Sequence, residues 1–309
     1  MGSFFGLSVE PSGNLPRIPP ERLRRSLEIL QPKPSPFPLI RIGGNGDGAY
    51  LVPDDLEGIT DCLSPGVNNF KRFEDELASR YRIKSHLVDA SSDLSSFATP
   101  LITGLQTFDR LWLDVDGSND SISIEQWMNG SLGAKDGDYI LQMDIEGAEY
   151  RNLLATPDAC LSRFRIIVME LHHVDDGLRW PDIFAQIMEP LLLKLDSLFV
   201  CVHAHPNNCF RSHPVHLPRV TVPRLLELTF LRRDRISKRS LFKHAPVLLP
   251  HSLDIINVLD KPPLFLDKTW CTAGGGRIAR VHIAKEWFLY IWRKSASKAV
   301  RSLSSLLRL

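Results

Sequence analysis

From residue 59 onward the chain alternates short runs of near-continuous apolar residues with longer stretches in which apolar positions recur at helical spacing. The apolar runs are ITDCL (59–63), SHLVD (85–89), RLWLDV (110–115), YILQMD (139–144), RIIVMEL (165–171), LFVCVHA (198–204) and LLELTFL (225–231). Runs this short and this apolar predict strands buried on both faces. Between them, FKRFEDELASRY (70–81) places Phe70, Phe73, Leu77 and Tyr81 on one helical face with charges on the other. AEYRNLLAT (148–156) and WPDIFAQIMEPLLLKL (180–195) read as further helices. The alternation predicts an α/β protein with a doubly wound, mostly parallel sheet. Seven strands between residues 59 and 231 fit one domain.

The flanks follow other patterns. Residues 1–38 are proline-rich around one helical patch, ERLRRSLEIL (21–30), and read as an arm lying over the body. A glycine-rich lead-in, RIGGNGDGAYLVPDD (41–55), turns the chain into the fold, whose domain is expected over 39–235. Residues 236–276 look like an irregular flap, and 277–309 like a basic amphipathic tail. That tail carries eight Lys/Arg against Glu286 alone, a net charge of +7 in a chain whose total is +1, so the rest stands at −6. Ile283, Trp287, Phe288 and Ile291, then Val300, Leu303 and Leu307, recur at helical spacing with cations between. The pattern suits a helix packed on the body. A side reading is a helix lying on an anionic membrane surface, a peripheral contact through residues 277–309.

The five cysteines form no C-x-x-C pair, which argues against a disulfide framework or a zinc ribbon. No apolar stretch reaches bilayer-spanning length, and MGSFFG has no signal-peptide core and puts Gly6 where myristoylation wants Ser or Thr. The expectation is a cytoplasmic enzyme, peripheral to a membrane at most. The basic run RRDRISKRSLFK (232–243) lacks interleaved aromatics and reads as a solvated loop, so no nucleic-acid partner is expected.

The chemistry sits at strand ends. The first strand runs into SPGVNN, a turn with the single glycine Gly66 before a helix, where a nucleotide-type ligand approaches backbone. Asp89 follows the next strand, 23 residues on, at a spacing suited to ribose hydroxyls. LWLDVDG offers Asp114 and Asp116, a D-x-D that either chelates a divalent ion or caps a turn. MDIEGAEY brings Asp144, Glu146 and Glu149, the last at a helix start, to the end of a central strand. MELHHVDDG adds Glu170, His172 and His173, and VHAHPNNC adds His203, His205, Asn207 and Asn208. A histidine there serves as general base or, with Asp144, as a metal ligand.

In this order the motifs RIGGNGDGAYLVPDDL, SPGVNNFKRFEDELA, LVDAS, LQMDIEGAEYRNLL, VMELHH and VHAHPNN resemble the FkbM-type family of S-adenosylmethionine-dependent methyltransferases over about residues 40–235. The resemblance implies a Rossmann-like sheet of seven strands, six parallel and the last antiparallel, and methyl transfer to an oxygen of a sugar or small molecule. It also implies that Gly66 and Asn68 line the S-adenosylmethionine site, that Glu74 supports the adjoining helix, and that Asp89 holds the ribose hydroxyls. Asp144 and Glu146 would lie at the transfer crevice. On this reading His172 is the general base, Asp144 orients the acceptor or holds a divalent ion, and Asn207 and Asn208 fix the hydroxyls of a small-molecule or glycan acceptor. The sequence departs from richer cofactor loops in its Ser64-Pro65 and lone glycine. Two competing readings are a metal-dependent glycosyltransferase using Asp114 and Asp116, and a non-catalytic membrane-associated module.

Overall fold

The fold is that of a computed structural model, which describes residues 2–10, 17–118, 120–132, 137–214, 220–236, 247–271 and 275–306, with backbone alone from 298. A hairpin of β1 (Gly2–Phe4) and β2 (Leu7–Val9) precedes helix α1 (Pro20–Leu30). A second hairpin, β3 (Leu39–Ile42) with β4 (Tyr50–Pro53), encloses the glycine-rich lead-in. The main sheet is built from β5 (Ile59–Pro65), β6 (Lys84–Val88), β7 (Gln106–Asp109), β8 (Asp138–Met143), β9 (Phe164–His172), β10 (Phe199–Pro206) and β11 (Leu225–Arg232). Its order is β10-β11-β9-β8-β5-β6-β7, with β11 antiparallel to both neighbours and every other pair parallel. This is the expected doubly wound, seven-stranded Rossmann-like methyltransferase sheet, and β5 and β8 lie at its centre, where the winding reverses.

Strand alternation divides the core into two layers. Ile140, Ile166, Val168 and Leu231 face one side, with Tyr50 and Val52 of the hairpin and Phe73 and Leu77 of α2 (Arg72–Tyr81). Leu141, Met143, Ile167, Met169 and Phe230 face the other, under α3 (Ile124–Ser131), α4 (Glu149–Ala155) and α5 (Glu189–Leu198). Each fully buried apolar side chain contributes roughly 1.5–3 kcal/mol, so the two layers fix the strand ends firmly. Helix α1 packs along α5, with Arg22 paired to Glu189.

One strand is displaced from the expectation. The third parallel strand is Gln106–Asp109, paired with β6, and not 110–115. Trp112–Leu113 instead forms a two-residue ladder with Ser121–Ile122, outside the sheet. Gln106–Asp109 is an edge strand with Gln106 alone buried, so it lacks the apolar run that marks its neighbours. The tail is a long helix, α6 (Arg280–Leu306). Among the described residues no helix is long and apolar enough to cross a membrane. The basic run from residue 237 to 243, and Leu307 of the apolar stripe, lie outside the described residues.

Candidate functional site

At the carboxyl ends of β5 and β8 two turns meet. Gly66 adopts φ +82°, and a Cβ there would fall 1.7 Å from the carbonyl oxygen of Asp144. Only glycine lets the β5 turn seat against the end of β8. Asn68 and Asn69 continue the turn in left-handed conformations, φ 41° and 62°. Asp89 braces them from β6. Its Oδ2 accepts from the backbone of Val67 (3.1 Å) and Asn68 (2.9 Å) and from Ser92 Oγ (2.7 Å), and its Oδ1 accepts from Ser91 N and Oγ. Burial alone would raise the Asp89 pKa, but these hydrogen bonds outweigh it and hold the carboxyl below its ordinary value. Glu74 lies behind the turn rather than in the cavity. It is buried against the Ser64 hydroxyl, which also lies 2.6 Å from Gln142 Oε1. Burial pushes Glu74 up to about 7.

Beyond β8 the chain turns sharply at Glu146 (φ 56°) and Gly147 (φ 102°). A Cβ on Gly147 would meet the ring of Phe5 at 2.1 Å, because the tip of the first hairpin packs there. Phe5 stacks on Tyr150 and stands edge-on to His173. Glu149, fully buried at the start of α4, accepts from Ile145 N at 2.9 Å and lies 3.2 Å from His172 Nδ1. The other ring nitrogen, Nε2, is 3.9 Å from Asp144 Oδ1 and 3.4 Å from Glu146 Oε2. Burial opposes a charged imidazole, but Glu149, Asp144 and Glu146 more than offset it, and His172 is raised to about 9. Asp144 is raised to about 7, first by burial, then by Glu149, Glu146 and Asp47, with His172 pulling the other way. Ligand atoms of Asp144, Glu149 and His172 all lie within 4.8 Å of one another, close enough to hold an ion.

These turns wall a cavity of about 720 Å³, a size typical of small-molecule sites. Gly66, Asn68, Asp89, Asp144, Glu146 and His172 all line it. So do Trp112, which is 54% exposed, and Glu170 and Asn207. The D-x-D does not form a chelating pair. Arg151 holds both oxygens of Asp114 at 2.9 and 3.0 Å, while Asp116 is exposed on a turn. Asn208 is also spent elsewhere, exchanging two 2.8 Å hydrogen bonds with the backbone of Val258. His203 pairs with Asp254 at 2.9 Å, away from the cavity.

Sequence reasoning singled out neither Phe5, nor Arg151, nor Asp47 and Glu227, and read Glu149 as a helix start alone. Asp47 stood in plain view inside GGNGDG, and an acid among glycines was the available signal.

No protein-family model matches the chain, so the FkbM resemblance rests on its motifs, and no curated protein matches either. Among solved structures the chain is similar to a candidate caffeoyl-CoA O-methyltransferase from Staphylococcus aureus, at 9% identity and a TM-score of 0.31, over 56% of this chain and 76% of that one. It is similar also to the 30S ribosomal A1408 methyltransferase of an uncultured bacterium, at 10% identity and 0.28, over 62% and 100%. Likeness this slight carries no argument about chemistry, which rests on the crevice itself.

Proposed function

We propose that the chain is an S-adenosylmethionine-dependent O-methyltransferase of the FkbM type, acting on a hydroxyl of a sugar or small molecule. The observation that supports it most is Asp144. It is a carboxyl near neutrality in its pKa, at the open end of the central strand, beside a glycine turn and inside a cavity of ligand size. The residues suit the cofactor. Trp112 offers a flat aromatic face at the cavity edge, Asn68 and Asp89 present the β5 and β6 turns, and the carboxylates favour a cation. Bound there, S-adenosylmethionine supplies an electrophilic methyl on a positively charged sulfur.

The chain's own part is alignment and proton removal. His172 was the expected base, but it carries its proton at neutral pH among Glu149, Asp144 and Glu146. We therefore give the base to Asp144, which takes the acceptor's hydroxyl proton, and make His172 the cation that holds the Asp144 carboxylate in place. Glu149 orients the ring from behind. Asn207, on the cavity wall with its amide donating to Glu170 Oε1 at 3.0 Å, is the acceptor-side contact. Incubation with S-adenosylmethionine and a metabolite extract should add one CH₂ to a product. No such product in any extract, from protein shown to bind the cofactor, would sink the transferase reading.

A peripheral membrane contact belongs to the same proposal. Along α6, Val281, Phe288, Ile291 and Trp292 are 58–80% exposed on one stripe, with Trp287 beside it at 40%. Arg280, Lys285 and Lys294 flank the stripe, in a tail of net charge +7. An apolar face bordered by cations fits an anionic bilayer surface. Sedimentation with phosphatidylserine vesicles but not with neutral ones is the expected result. Equal binding to both would remove the electrostatic part.

A further inference from the structure

A second acidic group opens on the same cavity, one strand over from Asp144. On the sheet face covered by Tyr50, the register places Glu170 of β9 directly opposite Glu227 of β11, and Glu227 opposite His205 of β10. Asp144 follows Met143, the partner of Met169, so it stands next in the same row. Three carboxyls thus lie side by side across three adjacent strands. Like charges directly opposite one another destabilise a sheet, and burying them costs more still. Glu170 and Glu227 are each only 5% exposed.

The glycine-rich lead-in then adds a fourth. Its left-handed turns at Gly43, Gly44 and Gly48 bring Asp47 over the sheet end. One ligand oxygen from each of Asp47, Glu170 and Glu227 lies within 4.8 Å of the others. The cluster is built from both sides. Asn257 from the flap donates its amide to Asp47 at 3.1 Å and to Glu227, and Asn207 donates to Glu170.

No close ion pair neutralises the group, although His205, Arg41 and His203 pull on Glu227 from a distance. Among the described residues no Lys, Arg or His forms an ion pair with Asp47, Glu170 or Glu227. Arg41 directs its guanidinium to the carbonyls of Gly44 and Gly46, and His205 lies 3.5 Å from Asp254. An independent sign comes from Tyr50. It is 2% exposed and its hydroxyl makes no hydrogen bond within 3.5 Å; Gln142 is a polar side-chain neighbour beside the charges of Asp144, Glu170 and Glu227. A buried hydroxyl without a close partner calls for a physical explanation, and a ligand held among the carboxylates supplies one.

We infer that Asp47, Glu170 and Glu227 form a site for a hard divalent cation, Mg²⁺, Ca²⁺ or Mn²⁺, separate from the Asp144–Glu149–His172 cluster. All three donors are carboxylate oxygens, the choice of hard ions and not of zinc or copper. Asp47 and Glu170 line the cavity, so an ion reaches the site from there and keeps open positions toward it. The inference goes beyond the transferase reading. Only its consequence, that the ion receives an oxygen-rich acceptor, rests on that reading.

The test is calorimetric titration of chelator-treated full-length chain with MnCl₂, CaCl₂ and MgCl₂. Binding of one ion per chain is expected, weakened roughly tenfold or more by Asp47→Asn and by Glu227→Gln. His172→Gln should leave it within about threefold. Asp47 is exposed on its loop, so Asp47→Asn keeps the test valid should the buried Glu227→Gln fail to fold. No binding to the wild type, or binding lost in His172→Gln and kept in Asp47→Asn, overturns the inference. Titration of the metal-free protein with S-adenosylmethionine, done alongside, decides the cofactor reading separately.

Discussion

The crevice and the tail helix use charge in opposite ways. Around the crevice Asp144, Glu149, Glu170 and Glu227 are held largely out of water, and burial pushes Asp144, Glu170 and Glu227 upward. On the tail the cations are solvated and the apolar residues face out. A buried carboxylate must take a proton, a histidine or an ion as partner, so it becomes chemistry. An exposed lysine is screened within about a Debye length and acts by attracting a surface. One molecule thus separates a crevice of buried carboxyls from a tail of solvated cations.

The comparison breaks first at Gly66. Gly66→Val forces a side chain into the Asp144 carbonyl and into left-handed backbone, the latter alone costing roughly 1–3 kcal/mol. A thermal melt should show a large loss of stability. The combined Phe288→Ser and Trp292→Ser change on the tail should stay within about 0.5 kcal/mol per site, as exposed substitutions do. Similar losses from both would mean that the tail is part of the core.

Next comes chemistry. Asp144→Asn should lower turnover by about 10²–10⁴, the usual contribution of a positioned base, and leave S-adenosylmethionine affinity nearly unchanged. Full turnover in that variant would remove Asp144 from the mechanism.

Protonation gives a smaller effect of defined sign. Asp144 has a folded pKa of about 7 against 3.8, so between those values the folded chain binds more protons and stability falls as pH rises. His172, at about 9 against 6.5, extends the fall across that upper window, its contribution being complete below 6.5 and lost through 9. In chelator, the melting temperature should therefore decline from the acid side of neutrality toward pH 9, and decline less in His172→Gln. Turnover moves the other way near pH 7, rising as Asp144 loses its proton. A melting temperature that climbs with pH would contradict both assignments.

The smallest change is on the tail. Lys285→Gln and Lys294→Gln should each weaken vesicle binding by roughly 1 kcal/mol at low salt and have no effect on turnover of a soluble acceptor.

Strands buried on both faces were legible because burial leaves a continuous apolar run, as in RIIVMEL. The edge strand Gln106–Asp109 is half solvated and carries no such signature. Asp144, Glu146 and His172 could be picked out because each ends or follows an apolar run, and the fold brings all three to one cavity. Glu227 could not, since a single acid inside LLELTFL acquires meaning only when the register sets it against Glu170. The D-x-D left its two readings open for the converse reason. Its fate depends on Arg151, 37 positions away, which claims Asp114.

The most direct measurement is calorimetric titration of the chelator-treated chain with S-adenosylmethionine. The account predicts one site per chain, weakened by Trp112→Ala and kept in Asp144→Asn. A flat titration of folded wild-type protein at millimolar cofactor would contradict it.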